Sequence, residues 1–464
     1  MRPNKLHIYP VFSVPVLLLI GTLLVSSCNI TRKYQKPQID SLDLYRDVSQ
    51  QDTQSIGRLS WEQVFKDTQL QNLIKLGLEE NIDLLVAIEH IHAAEAYYKQ
   101  SKAGLFPDLN FKADADYSRF EQADVSQYQL GLASTWELDI WGKLSSSKRA
   151  QRAALLQTQA AAMAVQTRLV SNISYYYYQL LALDEQLVIT EQTIENWKVT
   201  VETMRALKLA NRVTEAAVVQ SEAQMYAAEV TALELKQQIR QNEHALSILL
   251  GQTPGPIKRN GLYEQKVLQA IGTGVPAQLL ANRPDVQQAE LAFRQQYELT
   301  NMARAQFYPS LSIRASVGTG SNVLDQLFDP ISFLANIGAG LTQPIFNKRS
   351  IKTGLEVAKA QENEAYYNFR AALLQAGQEV SDALSLYATA HNKIQVREKQ
   401  IDALEKSVSY SQELLESGYG NTNYTEVITA RQSLLQAELA GINDQFQQLQ
   451  ATVDLYRALG GGWQ

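Results

Sequence analysis

The chain has 464 residues, 45% hydrophobic and 19% charged, which places it among ordered proteins and excludes a chain kept disordered by polarity. A formal net charge of −6 argues against nucleic acid as a partner, because phosphate binding needs clustered Lys and Arg. With one cysteine, no disulfide can form within the chain.

The first 27 residues read as a targeting segment. Arg2 and Lys5 give it a positive start, and the apolar stretch from Val11 to Val25 falls short of the roughly 20 residues a spanning helix needs. It ends in Leu24-Val25-Ser26-Ser27-Cys28, which resembles the processing box of bacterial lipoproteins. That likeness makes Cys28 the lipidated N-terminus of the mature chain, and Asn29 behind it favours sorting to the outer membrane. Residues 28–108 then form a lipidated N-terminal segment and a first helix.

Within residues 109–141 the stretch from Leu109 to Tyr117 alternates strictly, and the stretch from Gln127 to Ile140 repeats the pattern. Leu109, Phe111, Ala113, Ala115 and Tyr117 oppose Asn110, Lys112, Asp114 and Asp116; then Tyr128, Leu130, Leu132, Trp136, Leu138 and Ile140 oppose Gln127, Gln129, Thr135, Glu137 and Asp139. A period of two means strands with one apolar face, here a β-hairpin. Tyr117, Phe120, Trp136 and Trp141 near the strand ends suit a membrane interface.

Residues 142–250 read as a helical hairpin, because between Gly142 and Gly251 there is neither Gly nor Pro, a strong helix signal. Leu169, Ile173, Tyr176, Leu180, Leu183, Leu187, Thr190, Ile194, Trp197 and Val201 recur at alternating spacings of four and three, the mark of a coiled-coil seam. The break falls at Ala210-Asn211-Arg212-Val213-Thr214, where Asn211 can take a left-handed turn and Thr214 can cap the returning helix. Residues 251–278, with Pro254, Pro256 and Pro276, form a linker, and 279–308 a further helix.

The second half repeats the first. A hairpin over 309–346 sets Leu311, Ile313, Ala315 and Val317 against Ser310, Ser312, Arg314 and Ser316, and then Phe333, Ala335, Ile337, Ala339 and Leu341 against smaller or polar partners. A helical hairpin over 347–459 has Ile394, Ile401, Leu404, Val408 and Leu415 in its seam and turns at 417–423, before a tail at 460–464. Phe106-Pro107 and Tyr308-Pro309 lie 202 residues apart, Trp141-Gly142-Lys143 and Phe346-Asn347-Lys348 lie 205 apart, and Asn81-Ile82-Asp83-Leu84 is mirrored by Asn282-Arg283-Pro284-Asp285-Val286. The period is far too long for a solenoid, so the chain is a duplicated half-protein of class α+β, mainly α. Four strands cannot close on themselves. In a membrane their open edges would leave backbone groups unsatisfied at several kcal/mol each, so copies of the chain must pool strands.

Catalytic signatures are missing: there is no Walker loop, no paired cysteines, no H-E-x-x-H and no G-x-S-x-G. His90 and His92 would point to different helix faces, and five methionines do not support a soft-metal relay. No catalytic residue, metal site or cofactor is expected.

Taken together the residues resemble the outer-membrane efflux family of TolC-like channels, in particular its lipid-anchored NodT-type branch. The most specific stretch is Gly418-Tyr419-Gly420-Asn421-Thr422-Asn423-Tyr424-Thr425-Glu426-Val427, followed by Ala430-Arg431-Gln432-Ser433-Leu434-Leu435-Gln436-Ala437-Glu438. In the first copy Asn211 stands where the family usually has Gly, and Ala217 where an acid can occur.

The resemblance implies a homotrimer in which twelve pooled strands cross the outer membrane as a barrel and long helical hairpins form a periplasmic tunnel. It also implies a role as passive exit duct of a tripartite pump, fed by an inner-membrane transporter of the resistance-nodulation-division class through a periplasmic adaptor. It makes Glu426 a candidate gate carboxylate, with Thr429 where a second acid often lies, and makes Asn211, Arg212, Gly418, Gly420, Asn421 and Thr422 the tips an adaptor would contact. Glu426 reads equally as a helix-start glutamate favoured by the dipole. A protein-secretion duct and a non-transport coiled-coil lipoprotein spanning the envelope are the competing functions.

Overall fold

The structure, a computed structural model, describes residues 30–37, 56–119, 124–265, 283–417 and 424–463. Its helices are α1 (Trp61–Val64), α2 (Thr68–Glu80), α3 (Ile82–Ala103), α4 (Lys143–Leu209), α5 (Glu215–Leu249), α6 (Pro284–Ala305), α7 (Ser350–Ser417) and α8 (Tyr424–Ala458). Its strands are β1 (Asn110–Arg119), β2 (Asp124–Leu138), β3 (Ser310–Ser321) and β4 (Phe333–Thr342). The fold is mainly helical with one small sheet. The sequence pointed to one first helix ahead of the strands; α1, α2 and α3 stand there, because Phe65 and Asn81 break the run in extended conformations.

The chain divides into two compact units. One comprises residues 1–37, 94–155 and 291–366; the other comprises 38–93, 156–290 and 367–464.

The first unit holds the sheet, four antiparallel strands in the order β1-β2-β3-β4. The register Phe111↔Leu132, Leu132↔Val317 and Val317↔Ala335 carries the apolar positions of all four strands onto one face, while Lys112, Gly131, Gly318 and Leu334 form a row of the other. A slip of one residue in any pair would mix the faces. Every residue of β1 and of β4 is exposed.

A second feature ties the start of the described chain to this unit. Asn301, on α6 and fully buried, accepts a hydrogen bond from the Arg32 backbone N–H at 3.2 Å and donates one to the Arg32 carbonyl at 2.9 Å. The Tyr297 hydroxyl donates to the Lys33 carbonyl at 3.0 Å, and the Tyr34 ring sits 5.8 Å from Phe293 and 5.6 Å from Tyr297. Thr31 rests against Gly142, whose φ of +75° suits a residue without Cβ. None of this follows from local pattern, since Arg32 and Asn301 lie 269 residues apart.

The second unit is built on the seam. Leu169, Ile173, Leu180, Leu183, Thr190, Trp197 and Val201 are all buried, and Tyr176, Leu187 and Ile194 are partly so. Leu169, Ile173, Leu180 and Leu183 join Leu70, Ile74, Leu246, Val453 and Leu455 in the main core with Tyr176 and Leu187 packed against it, while Trp197 and Ile194 belong to a smaller cluster. In the second helical hairpin Ile394, Ile401, Leu404, Val408 and Leu415 are only half-buried. At about 1.5 Å per residue, α4 with 67 residues and α7 with 68 each run roughly 100 Å, far longer than a compact domain needs. No described helix is long and apolar enough to cross a membrane.

Polar hubs lock the second unit where its loops return. Asp67 caps α2, accepting from Gln69 and Leu70 N–H, and also takes the Tyr177 hydroxyl at 2.7 Å, the Gln265 amide at 2.7 Å and the Asn260 amide at 2.9 Å. Arg259 grips Asp184 through two nitrogens, at 2.5 and 2.8 Å, and Glu243 at 2.7 Å. The buried Asp444 holds Lys393 and Arg397 at 3.0 and 2.9 Å.

Candidate functional site: strand edges and helix tips

The candidate sites are the open edges of the sheet and the tips of the helical hairpins.

At the sheet, β1 and β4 are the outer strands. The apolar face of Phe111, Tyr128, Leu130, Leu132, Trp136, Leu311, Ile313, Val317, Ile337 and Leu341 backs onto a face of Asn110, Lys112, Asp114, Gln127, Gln129, Glu137, Arg314 and Asn336. An apolar face outside and a polar face inside is what a strand needs between lipid and water. The aromatics at the strand ends hold the joints. The Trp136 indole N–H donates to the Leu105 carbonyl at 3.0 Å, and that of Trp141 donates to the Pro309 carbonyl at 2.8 Å. Asp139 accepts from the Leu144 and Ser145 N–H groups at 2.8 Å each, anchoring the start of α4, and Lys143 pairs with Glu137 at 2.9 Å. Phe120 lies outside the described residues.

At the first tip, Asn211 adopts φ 52°, the left-handed conformation. The N–H of Arg212 reaches the Leu207 carbonyl and that of Asn211 the Lys208 carbonyl, both at 2.9 Å, which closes the helix end with Asn in the place Gly usually fills. Thr214 precedes α5 in extended conformation, but its hydroxyl makes no capping bond. The turn is held instead by the ion pair Lys208–Glu215 and, one turn back, by Arg205 with Glu222 at 2.5 Å and Glu202 at 2.7 Å. Asn211 and Arg212 are exposed.

The second tip begins again at Tyr424. Its ring packs against Met204, Ala217 and Val218 of the first hairpin, as does Leu415 of α7, and also against Trp197, Ala228 and Ile428, so the two hairpins share a small core near their ends. Glu426 is exposed in the first turn of α8, and Thr429 one turn on is exposed too. Arg431 donates to Gln412 at 2.6 Å across the seam of α7 and α8, and burial pushes its guanidinium below the usual range. In the sequence its local signal is a charge on the seam side of a coiled-coil helix. Gly418, Gly420, Asn421 and Thr422, like Cys28, lie outside the described residues.

No cluster of His, Cys, Asp or Glu suited to a metal occurs among the described residues. His92 is exposed and faces Glu89 at 3.3 Å on its own helix.

A duplicated chain with an amphipathic sheet open at both edges and helical arms far longer than a compact core requires is the subunit of an outer-membrane channel. The model of the outer membrane efflux protein family matches residues 73–252 and 275–461, and the chain belongs to that family. It is 31% identical over 471 residues to the outer membrane protein OprJ of Pseudomonas aeruginosa, covering 98% of this chain and 96% of that one. It is 26% identical over 448 residues to the cation efflux system protein CusC of Escherichia coli K12, covering 95% and 97%. The open-state structure of the Neisseria gonorrhoeae outer membrane channel MtrE superposes with a TM-score of 0.83 at 25% identity, over 94% of this chain and 99% of that chain.

Proposed function

We propose that three copies of this chain close one twelve-stranded barrel in the outer membrane and form the passive exit duct of a tripartite efflux pump. The single observation that carries the reading is the sheet: four strands with an apolar face, a polar face and two unpaired edges. In lipid that sheet is stable only when closed, and a polar inner face encloses water. Small molecules enter from an inner-membrane transporter of the proton-driven resistance-nodulation-division class through a periplasmic adaptor, and energy is spent there. The chain itself needs only to open, and it performs no chemistry.

The hairpin tips at Asn211, Arg212, Gly418, Gly420, Asn421 and Thr422 form the adaptor-facing end, and Glu426 lines the constriction behind them. Cys28 carries the lipid anchor. Three residues on, Thr31 and Arg32 are fastened beside Gly142 and Asn301 of the sheet-bearing unit, which supports an anchor that works together with the strands.

The test is drug and dye accumulation in a strain deleted for its own outer-membrane channels. Restored efflux when this chain is expressed with its cognate pump and adaptor is the expected result. Unchanged accumulation, with export of a polypeptide restored instead, would replace the pump by a secretion system.

A further inference from the structure

The second unit contains a cavity that neither the strand edges nor the hairpin tips use. It has a volume of about 270 Å³ and lies between α4, α7, α8 and the short helical turn Leu262–Glu264. Its walls are aliphatic, with Ile189 from α4, Ile394 and Ile401 from α7, and Ile442 from α8. Gly441 keeps the space open, since a Cβ there would lie 3.3 Å from Ile401 Cδ1 and 3.4 Å from Arg397 Cγ. Tyr263 adds an aromatic ring to the lining and is otherwise 67% exposed.

Among these walls stands an acid. Glu438, one turn before Ile442 on α8, is half-buried and makes neither an ion pair nor a hydrogen bond among the described residues. Burial, and then the Glu405 carboxylate, push its carboxyl up. The Tyr263 hydroxyl is pushed up as well, by burial first and then by Glu185 and Glu438. Glu398, also on the lining, is exposed and equally unpaired. The cations close by are committed elsewhere. Arg397 donates to Asp444 at 2.9 Å and to Gln400 at 2.7 Å, and Lys393 holds the same buried Asp444 at 3.0 Å.

An uncompensated carboxylate among aliphatic walls selects for charge and apolar body together. An anion would meet Glu398 and Glu438. A metal ion would find no cluster of His, Cys, Asp or Glu able to hold it among the described residues. A neutral hydrocarbon would fill the walls and leave the acid as it stands. An organic cation of the quaternary ammonium class satisfies both demands, because its charge is spread over an apolar, weakly hydrated shell and is attracted to the face of an aromatic ring.

We propose that this cavity is a binding site for a small lipophilic organic cation, its apolar body against Ile189, Ile394, Ile401 and Ile442 and its charge between Glu438 and the Tyr263 ring. The lining comes from one unit of one chain, so the site depends on neither the barrel nor the pump. Its volume falls just short of the roughly 300–1,000 Å³ of sites for drug-sized ligands, which limits the occupant to one ring or a few short alkyl arms.

Calorimetric titration of the full-length protein, extracted from outer membranes in mild detergent, with benzyltrimethylammonium tests the site. Saturable binding of one cation per chain is expected. Glu438→Gln keeps the shape and removes the charge, and should weaken binding about tenfold. Tyr263→Leu should weaken it several-fold and Tyr263→Phe should not, because the ring rather than the hydroxyl meets the cation. Gly441→Leu, which fills the cavity, should abolish binding. Should that variant fail to fold, Glu438→Gln and Tyr263→Phe, each changed by no more than one heavy atom, still decide. No saturable binding to the unmodified protein would overturn the site, as would binding that Glu438→Gln and Tyr263→Leu both leave unchanged. Binding lost in Glu426→Ala but kept in Glu438→Gln would put the cation at the hairpin tip and leave the cavity without a ligand.

Discussion

Asn81 donates its side-chain amide to the carbonyl of Leu249, the last residue of α5, at 2.9 Å; in the other half Arg283 donates to the carbonyl of Ala458, the last residue of α8, at 2.8 Å. The two halves satisfy the same orphaned helix end with different donors 202 residues apart. Each donor also fixes the start of the next helix: Asn81 accepts from the Leu84 N–H at 3.0 Å, and Arg283 chelates Asp285 at 2.6 and 3.0 Å. Both donors are buried, and removing either leaves a carbonyl unsatisfied. Asn81→Ala is expected to cost about 1–3 kcal/mol. Arg283→Ala should cost a similar amount, about 1–3 kcal/mol, through the same lost carbonyl bond, since Asp285 and Glu379, 49% and 30% exposed, stay solvated without the cation. Denaturant unfolding of the detergent-solubilised protein measures both.

Gly131 stands directly opposite Gly318 across β2 and β3. A Cβ on Gly131 would lie 2.5 Å from the Val317 carbonyl oxygen, and one on Gly318 would lie 2.3 Å from that of Leu130. Neither strand can take a side chain there without moving its neighbour. Gly131→Ala or Gly318→Ala is expected to lower the amount of folded protein in the outer membrane several-fold. Gly338→Ala, where nothing lies within 4 Å, should leave it unchanged. Immunoblots of outer-membrane fractions give the comparison.

The Asp67 hub sets an acid limit. Burial alone would raise this carboxyl, but the Tyr177 hydroxyl, the Gln265 amide and the Gln69 and Leu70 N–H groups outweigh it and hold it below the usual carboxylate range. A depressed carboxyl contributes stability that is fully present above its unfolded value of about 3.9 and is lost as pH falls through the lower folded value. Tyr177→Phe should cost about 1.5–3 kcal/mol at neutral pH, because it removes a hydrogen bond to a charged group. It should also flatten the loss of stability below pH 4. Melting temperatures of both proteins across pH 3 to 7 check the sign.

Much of this architecture is legible in the sequence. Period-two alternation marks the strands from Phe111 to Tyr117 and from Leu311 to Val317, and four-three spacing marks the seam from Leu169 to Val201, because both depend on which face of a local element is buried. Contacts between distant parts are not written that way. The Asn301 clasp on the Arg32 backbone and the Asp67 hub join residues far apart in sequence through polar side chains that look like ordinary surface positions. The Gly131–Gly318 approach is set by register, which alternation leaves open by two residues. Thr214 reads as a cap, yet ion pairs at Lys208 and Arg205 hold the turn instead. For Glu426 the single chain shows an exposed helix-start carboxylate, and its neighbours in a closed tip would come from other copies.

Three Glu426 carboxylates around one axis would repel one another and favour cations. Glu426→Ala is therefore expected to reduce cation preference and block by multivalent cations in planar bilayers. Unchanged values for both would assign Glu426 to the start of α8 alone.

The most direct measurement is the native mass of the protein extracted from outer membranes in mild detergent. Three copies in one particle that conducts ions when reconstituted are expected. A monodisperse, folded single copy that conducts nothing would contradict it, because a lone chain would then have satisfied its strand edges without neighbours.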